Sequence, residues 1–527
     1  MTNDIATPIP VCLLDDSQTR RQVTLHLELP GGVEVVGGGV GEARMPDVPQ
    51  EPSEAGGKRY KFTTTVSGKS ALPWGRLYVR ASPPHRRGAP AGDLKHGEMA
   101  RVSYWTEWAE GRSPKTTLPV RAVTLPPTPR LKRMMLALGW WSLADTRAWP
   151  EGLRAAEAIG LNTLSTFTMW MKPDEADLWN LAEEGRKQGF KLLNVDSTWH
   201  RMMERHKKDA EVYCQLADGK HGERMCPSYR GRFYAEELQR VASQCARLRP
   251  DYLSTDVELW NWRGPVDAEK CARCQADKEK SGLADWAEWR LQKGFEMWRD
   301  LHEAVQKAAS KSVEMGCYDW RPGKTYQFTW PFDRLYPKHL HNSQPSTYTP
   351  LEPWHIELVG NEAREDRSKL PKSDVLPWLT PGDAGAFPGE ALRCAMLECF
   401  LNGARGIHFW SSRYWDTEYL VAYNQAVRAV AAVEDIIVDG TLYDGAKAEP
   451  PARVSGMIRG NDLALLVGEY YGSTPTTVNV TLAVPAASEV VDAETGTKLG
   501  EVEAGQARKL EVKLGEHRSR VLWLRPR

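Results

Sequence analysis

The chain has 527 residues, long enough for several domains, and carries 69 Lys plus Arg against 69 Asp plus Glu. That balance supplies no basic field for collecting nucleic acid and no acidic excess of the kind that keeps a chain disordered. No run approaches the ~20 apolar residues needed to span a bilayer.

The opening, MTNDIATPIPVCLL, lacks a basic segment followed by a long apolar one. A soluble protein is expected, its compartment left open; secretion or a periplasmic home, with a signal peptide absent from this sequence, is included. The 21 Trp outnumber the 10 Phe and the 17 Tyr. An indole offers a flat face and one N–H donor, which suits stacking on sugar rings, although many of these rings are expected in the core. Nine cysteines, odd in number and sparse, argue against a disulfide framework.

From the start to residue 130 the chain reads as short alternating segments, among them 23–29, 60–66, 76–81 and 101–104, divided by Gly, Pro and charge clusters. This predicts an N-terminal β-sandwich domain, closed by the Pro-rich connector TLPPTPR at 124–130. Residues 131–440 change rhythm. Eight strand-like runs alternate with helical patterns: MMLALGWW (134–141), LNTLSTFT (161–168), FKLLNVDSTW (190–199), DYLSTDVELW (251–260), SVEMGCYDW (312–320), LHNSQPSTYT (340–349), SDVLPWLTPG (373–382) and GIHFWSSRYW (406–415). The sixth is the least apolar. Eight such rounds in about 300 residues predict an α/β fold of the (β/α)8 TIM-barrel type. From residue 441 to 527 short strands return, and a C-terminal β-sandwich domain is expected.

In such barrels the reactive groups gather at the C-terminal strand ends. Those positions hold Trp140, Trp141, Thr166, Trp170, Asp196, His200, Asp256, Glu258, Tyr318, Asp319, Tyr348, Trp378, Asp383, Trp410 and Arg413. Acids among aromatics suit a carbohydrate cleft, since glycosidic cleavage uses two carboxyls and sugars use stacking surfaces. Asp256 and Glu258 stand at i and i+2 of one strand, so both face one side, and two close acids push one pKa up. They are the expected catalytic pair. Trp141, Asp196, His200, Tyr318, Asp319, Trp378, Asp383, Trp410 and Arg413 are the expected substrate contacts, with Arg413 suited to an anionic substituent. Glu398, mid-helix, reads as structural. Glu362 and Glu365 read as a solvated helix face.

The Asp-x-Glu of TDVELW and the closing GIHFWSSRYW resemble glycoside hydrolases of the chitinase and hexosaminidase type. That resemblance implies Glu258 as general acid/base, Asp256 as the group orienting an acetamido substituent, Tyr318 as a hydrogen-bonding partner and Trp410 as the floor of the sugar site. The segment DVELWNWRGPVDAEKCARCQADKEKSG is also similar to the fourth-strand region of large β-galactosidase-type barrels, which again implies Glu258. It departs from them in having Val257 before the acid, and the seventh run offers Asp383 as its nearest carboxylate.

The expected function is hydrolysis of a glycosidic bond on an oligosaccharide or polysaccharide, with retention if Asp256 and Glu258 work together. The alternatives are Asp256 as nucleophile or base with Asp319 or Asp383 as acid, and a non-catalytic glycan-binding protein. No cofactor is expected for catalysis. Cys271 and Cys274, with Cys214 and Cys226 upstream, offer four thiolates for a structural zinc, while Cys245, Cys394 and Cys399 fall on apolar helical faces.

Overall fold

A computed structural model describes the chain except for residues 15–18, 55, 68–73, 82–93, 257–266, 320–329, 382–383, 473–475 and 506, and describes Trp74 and Asp319 by their backbone alone. At the N-terminus two antiparallel sheets face each other. One runs in the order Thr7–Cys12, Trp74–Ala81, Val33–Val40, Ala43–Arg44; the other is built on Met99–Trp108, Arg21–Glu28 and Lys58–Val66. Alternate residues of these strands, including Leu25, Leu27, Val35, Phe62, Leu77, Val79 and Val102, meet in one apolar cluster. The period-two pattern in the sequence is the cause of that burial.

The middle of the chain forms a barrel of eight parallel strand positions: β1 (Met135–Leu136), β2 (Thr163–Thr166), β3 (Lys191–Asp196), β4 (Tyr252–Asp256), β5 (Glu314–Asp319), β6 (Asn342–Thr347), β7 in two segments (Asp374–Val375 and Trp378–Leu379) and β8 (Gly406–Phe409). From β2 to β8 the strands pair in sequence order, and β8 pairs with β1. Asn162 joins β1 to β2: its N–H donates to Leu136 O at 3.2 Å, and its Oδ1 accepts from Leu136 N at 2.9 Å. All eight strands fall within the runs read from the sequence.

Two strands depart from a plain apolar ladder. In β6 all six residues are buried although most are polar. Gln344 Oε1 accepts from Ser254 Oγ at 2.5 Å and from Trp378 Nε1 at 3.1 Å, while its Nε2 donates to Asn342 Oδ1 at 2.8 Å. Burial is tolerated because the amide is paired on both sides. Gly316 in β5 provides the room, since a Cβ there would collide with Asn342 Oδ1 and Gln344 Nε2. In β7 the break falls at Leu376–Pro377, where proline has no N–H for the ladder.

Helices cover the outside. They include α1 (Leu143–Ala148), α2 (Gly152–Ala158), α3 (Ala176–Lys187), α4 (Thr198–Arg205), α5 (Arg232–Leu248), α6 (Ala272–Ser281), α7 (Trp286–Ala308), α8 (Phe332–Leu335), α9 (Pro353–Lys369), α10 (Gly389–Leu401) and α11 (Thr417–Ala431). Ser142 and Asp145 form a reciprocal capping box on α1, and Asp416 caps α11 by accepting from Tyr419 N at 3.0 Å. Beyond the barrel, residues 441–526 form two antiparallel sheets sharing an apolar core that includes Leu463, Leu465, Val478, Val480, Val512 and Leu522.

The C-terminal sheets dock on α10 through a buried polar knot. Glu398 is fully buried and accepts from Tyr470 Oη (2.6 Å), Asn402 Nδ2 (2.9 Å) and Ser455 Oγ (3.2 Å), with Arg453 Nε 2.8 Å away. Burial raises its pKa, and Arg453 and the three donors pull against that rise. The structural role expected for Glu398 is the one it has.

Candidate active site

At the C-terminal mouth of the barrel a cavity of about 100 Å³ is lined by Trp140, Val195, Ser254, Asp256, Tyr318, Tyr348, Trp378 and Trp410. Seven of the eight strand positions contribute to it. Ser254 and Asp256 alternate with buried Thr255 along β4, and Tyr318 sits in register with Asp256 on β5. Trp140, Tyr348 and Trp410 follow the last residues of β1, β6 and β8.

The walls are aromatic. Trp410 meets Trp140 edge-on at 4.3 Å between ring centres and lies 6.3 Å from Tyr348; Tyr318 lies 6.0 Å from Tyr348 and 6.4 Å from Trp378. Trp140 is backed by Phe167 and Trp170, themselves stacked at 4.8 Å. Trp378 is fixed from behind by His408, stacked at 3.8 Å, and by its Nε1 bond to Gln344. His408 is fully buried, its Nε2 is 2.8 Å from Leu376 O, and burial pushes its pKa down to about 3. It is neutral at ordinary pH. Partly exposed faces of Trp410, Tyr348 and Trp170 open this box to solvent.

Of the residues singled out in the sequence, Asp256, Tyr318, Trp378 and Trp410 come together in this cavity. Glu258 and Asp383 lie outside the described residues; so does the side chain of Asp319, whose backbone ends β5. Four of the expected contacts are placed outside this cavity. Trp141 is buried under the Arg76 guanidinium (4.1 Å) and against Trp149 (5.1 Å), and its neighbour Trp140 lines the cavity instead. Asp196 is fully buried, with Arg240 Nη1 and Nη2 at 2.9 and 2.8 Å and Thr198 Oγ1 at 2.9 Å, so its carboxylate holds α5 to β3. Arg413 lines a separate cleft with Arg44, Arg76 and Asp145. His200 is half-buried on α4 and is not among the lining residues of the cavity. Ser254 was overlooked, although strand alternation places it on the same face as Asp256.

A larger apolar cavity, about 990 Å³, lies between the N-terminal sheets and α11. Its rim carboxylates are engaged in structure: Glu390 with His517 and Arg518 N, Glu418 with Gly389 N, and Asp416 as a helix cap.

Cys214, Cys226, Cys271 and Cys274 are all buried, and their Sγ atoms lie within 4.8 Å of one another. Cys226 Sγ is 3.4 Å from Cys274 Sγ and 3.9 Å from Cys271 Sγ. A tetrahedron with Zn–S bonds of ~2.3 Å has S···S edges of about 3.8 Å, so this spacing fits one metal ion. Hydrogen bonds from Cys214 and Cys274 hold the Cys226 thiol well below its usual pKa. The strand pair Tyr213–Gln215 and His221–Met225 carries the first two cysteines or leads into them, and α6 carries the others at its N-terminus.

No family model and no curated protein matches the chain. Solved structures do. A GH42 beta-galactosidase from G. stearothermophilus superposes with a TM-score of 0.50 at 10% identity, covering 74% of this chain and 98% of the other. A protein described as a putative alpha-N-acetylgalactosaminidase from Bacillus halodurans gives 0.45 at 10% identity (76% and 100% covered), and Thermotoga maritima alpha-fucosidase gives 0.40 at 11% identity (71% and 78% covered). The first of these likenesses establishes the fold: the chain is a (β/α)8 barrel flanked by antiparallel sheets.

Proposed function

We propose that the chain is a glycoside hydrolase acting at the C-terminal mouth of its barrel. The observation that carries this reading is Asp256, placed by β4 in a cavity walled by Trp140, Tyr318, Tyr348, Trp378 and Trp410. An acid among aromatic faces suits a sugar ring, whose C–H face stacks on indole while a carboxylate meets the anomeric centre. The barrel of similar outline with the TM-score of 0.50 is that of a beta-galactosidase, which accords with the same class of substrate.

Glu258 is the proposed general acid/base and Asp256 the carboxylate that assists or attacks, with retention of configuration. Tyr318, Trp378 and Trp410, joined by Trp140 and Tyr348, would hold the sugar. Asp319 and Asp383 remain the alternative acids if Asp256 acts with a partner from another strand. The test is turnover of a panel of aryl glycosides (N-acetylhexosaminides, galactosides, fucosides and uronides) by wild type, Asp256→Asn and Glu258→Gln. We expect one sugar to be cleaved and each variant to lose about 10²- to 10⁴-fold in kcat. Full activity in both variants would overturn the assignment.

The four cysteines are proposed to hold a structural zinc ion, with thiolates as all four ligands and no part in the reaction. One zinc per chain by elemental mass spectrometry is the expected result, lost in Cys226→Ser with a lower melting temperature. A metal-free wild type purified without chelator would refute it.

A further inference from the structure

We infer that the cleft beside the aromatic cavity is an anion-binding subsite, built jointly by the N-terminal sheets and the β8 loop, for a carboxylate- or sulfate-bearing sugar unit of the substrate. Its volume is about 460 Å³, and its described lining brings three guanidiniums, Arg44, Arg76 and Arg413, against one carboxylate, Asp145. Asp145 is already committed: Oδ2 accepts from Ser142 N and Oγ at 2.9 and 2.8 Å, and Oδ1 from Arg76 Nη1 at 2.9 Å. Arg76 is thereby a positioning residue. It lies over Trp141 at 4.1 Å and donates through Nη2 to Ser412 O, which braces the β8 loop.

The loop itself is bent to serve two places. Ser411 is one of few non-glycine residues with positive φ (72°), and its Oγ accepts from Arg413 N at 3.2 Å. A non-glycine residue in that region costs free energy and persists only where the surroundings impose it. Its effect is that Trp410 lines the aromatic cavity while Arg413 lines the arginine cleft, three residues along the same loop.

Across the cleft, Arg44 donates through Nη1 to Gly41 O at 2.5 Å and lies against Gly39. A Cβ on Gly39 would stand 2.6 Å from Arg44 Cδ and 2.8 Å from its Nη1, so the glycine is what lets the guanidinium fold over the strand. Planar guanidiniums pair with carboxylate and sulfate by paired N–H donors, a chemistry lysine would not reproduce. The sugar-unit part of this inference rests on the glycosidase reading; the binding of the anionic group does not.

The experiment is calorimetric titration with methyl glucuronide, methyl glucoside and inorganic sulfate, using wild type, Arg44→Ala, Arg413→Ala, Arg413→Lys and Gly39→Ala. These measurements need no turnover, so they remain informative even if no aryl glycoside is cleaved. We expect the glucuronide to bind, the glucoside to bind at least tenfold more weakly at the same ionic strength, and Kd for the glucuronide to rise about tenfold in each alanine variant at Arg44 or Arg413. Arg413→Lys should recover only part of the affinity, and Gly39→Ala should resemble Arg44→Ala. Equal binding of glucuronide and glucoside, glucuronide binding unchanged in Arg44→Ala and Arg413→Ala, or no binding of either glucuronide or sulfate would each overturn the proposal.

Discussion

Trp140 and Trp141 are adjacent in sequence and end in different environments, one in the aromatic cavity and the other beneath Arg76. Their substitution should therefore read differently. Trp410→Ala or Trp140→Ala is expected to raise KM by about tenfold with little change in melting temperature, whereas Trp141→Ala should cost about 3–5 kcal/mol of stability, measured by denaturant unfolding. Composition and spacing could not tell the two apart, because the choice depends on which way the loop after β1 turns. Asp196 was ambiguous for a similar reason. Its partner Arg240 is on α5, and a distant pairing leaves no mark in a single sequence. His408 carries a pH prediction. Its folded pKa, about 3, is below its usual 6.5, so below pH 6.5 the unfolded chain takes up the proton first. The stability gained by burying it neutral is complete above 6.5 and is lost as pH falls toward 3, with a slope of at most about 1.4 kcal/mol per pH unit. Unfolding free energies measured from pH 7 to 4 should show a shallower slope in His408→Gln than in wild type.

At the level of strands and helices, the alternation of apolar runs made the eight barrel positions legible, because each strand must bury a face and each covering helix a stripe. What was hard to read is where burial is satisfied by hydrogen bonds instead of apolar surface. Asn342, Ser343, Gln344, Ser346 and Thr347 make the sixth run the least apolar of the eight, yet Gln344 makes β6 an interior strand by bonding Ser254 and Trp378 across the barrel. Gln344→Ala should leave the Trp378 Nε1 donor without its partner, cost about 1–3 kcal/mol and loosen the ring that walls the cavity, seen as a fall in melting temperature together with a higher KM. Short helices such as α1 and α4 left too little periodic text to detect. The cysteines were legible as residue types, while their meeting depended on the strand pair after α4 reaching the N-terminus of α6. Glu398→Ala should be among the most destabilising changes in the chain, about 3–5 kcal/mol, since it leaves half-buried Arg453 without its carboxylate and Tyr470 and Ser455 without their acceptor; chemical denaturation measures it directly.

Across the whole molecule the three parts lean on one another through specific groups. Trp149 Nε1 donates to Ala6 O at 2.6 Å, Gly37 admits Pro150 where a Cβ would stand 2.9 Å from its Cγ, and Arg76 reaches Asp145 and Ser412 from the N-terminal sheets. The same is true at the other end. From Leu392 to Leu401 every residue of α10 is buried, with the barrel on one side and Met457, Ala464, Leu466 and Val521 of the C-terminal sheets in the same apolar cluster. A helix buried on all sides has no face to give to water. The C-terminal sheets are therefore part of the solvent shield of the barrel and not a detachable module. In scanning calorimetry the barrel and the C-terminal sheets should melt in a single cooperative endotherm, and a chain stopped at residue 440 should aggregate on expression while remaining helical by circular dichroism.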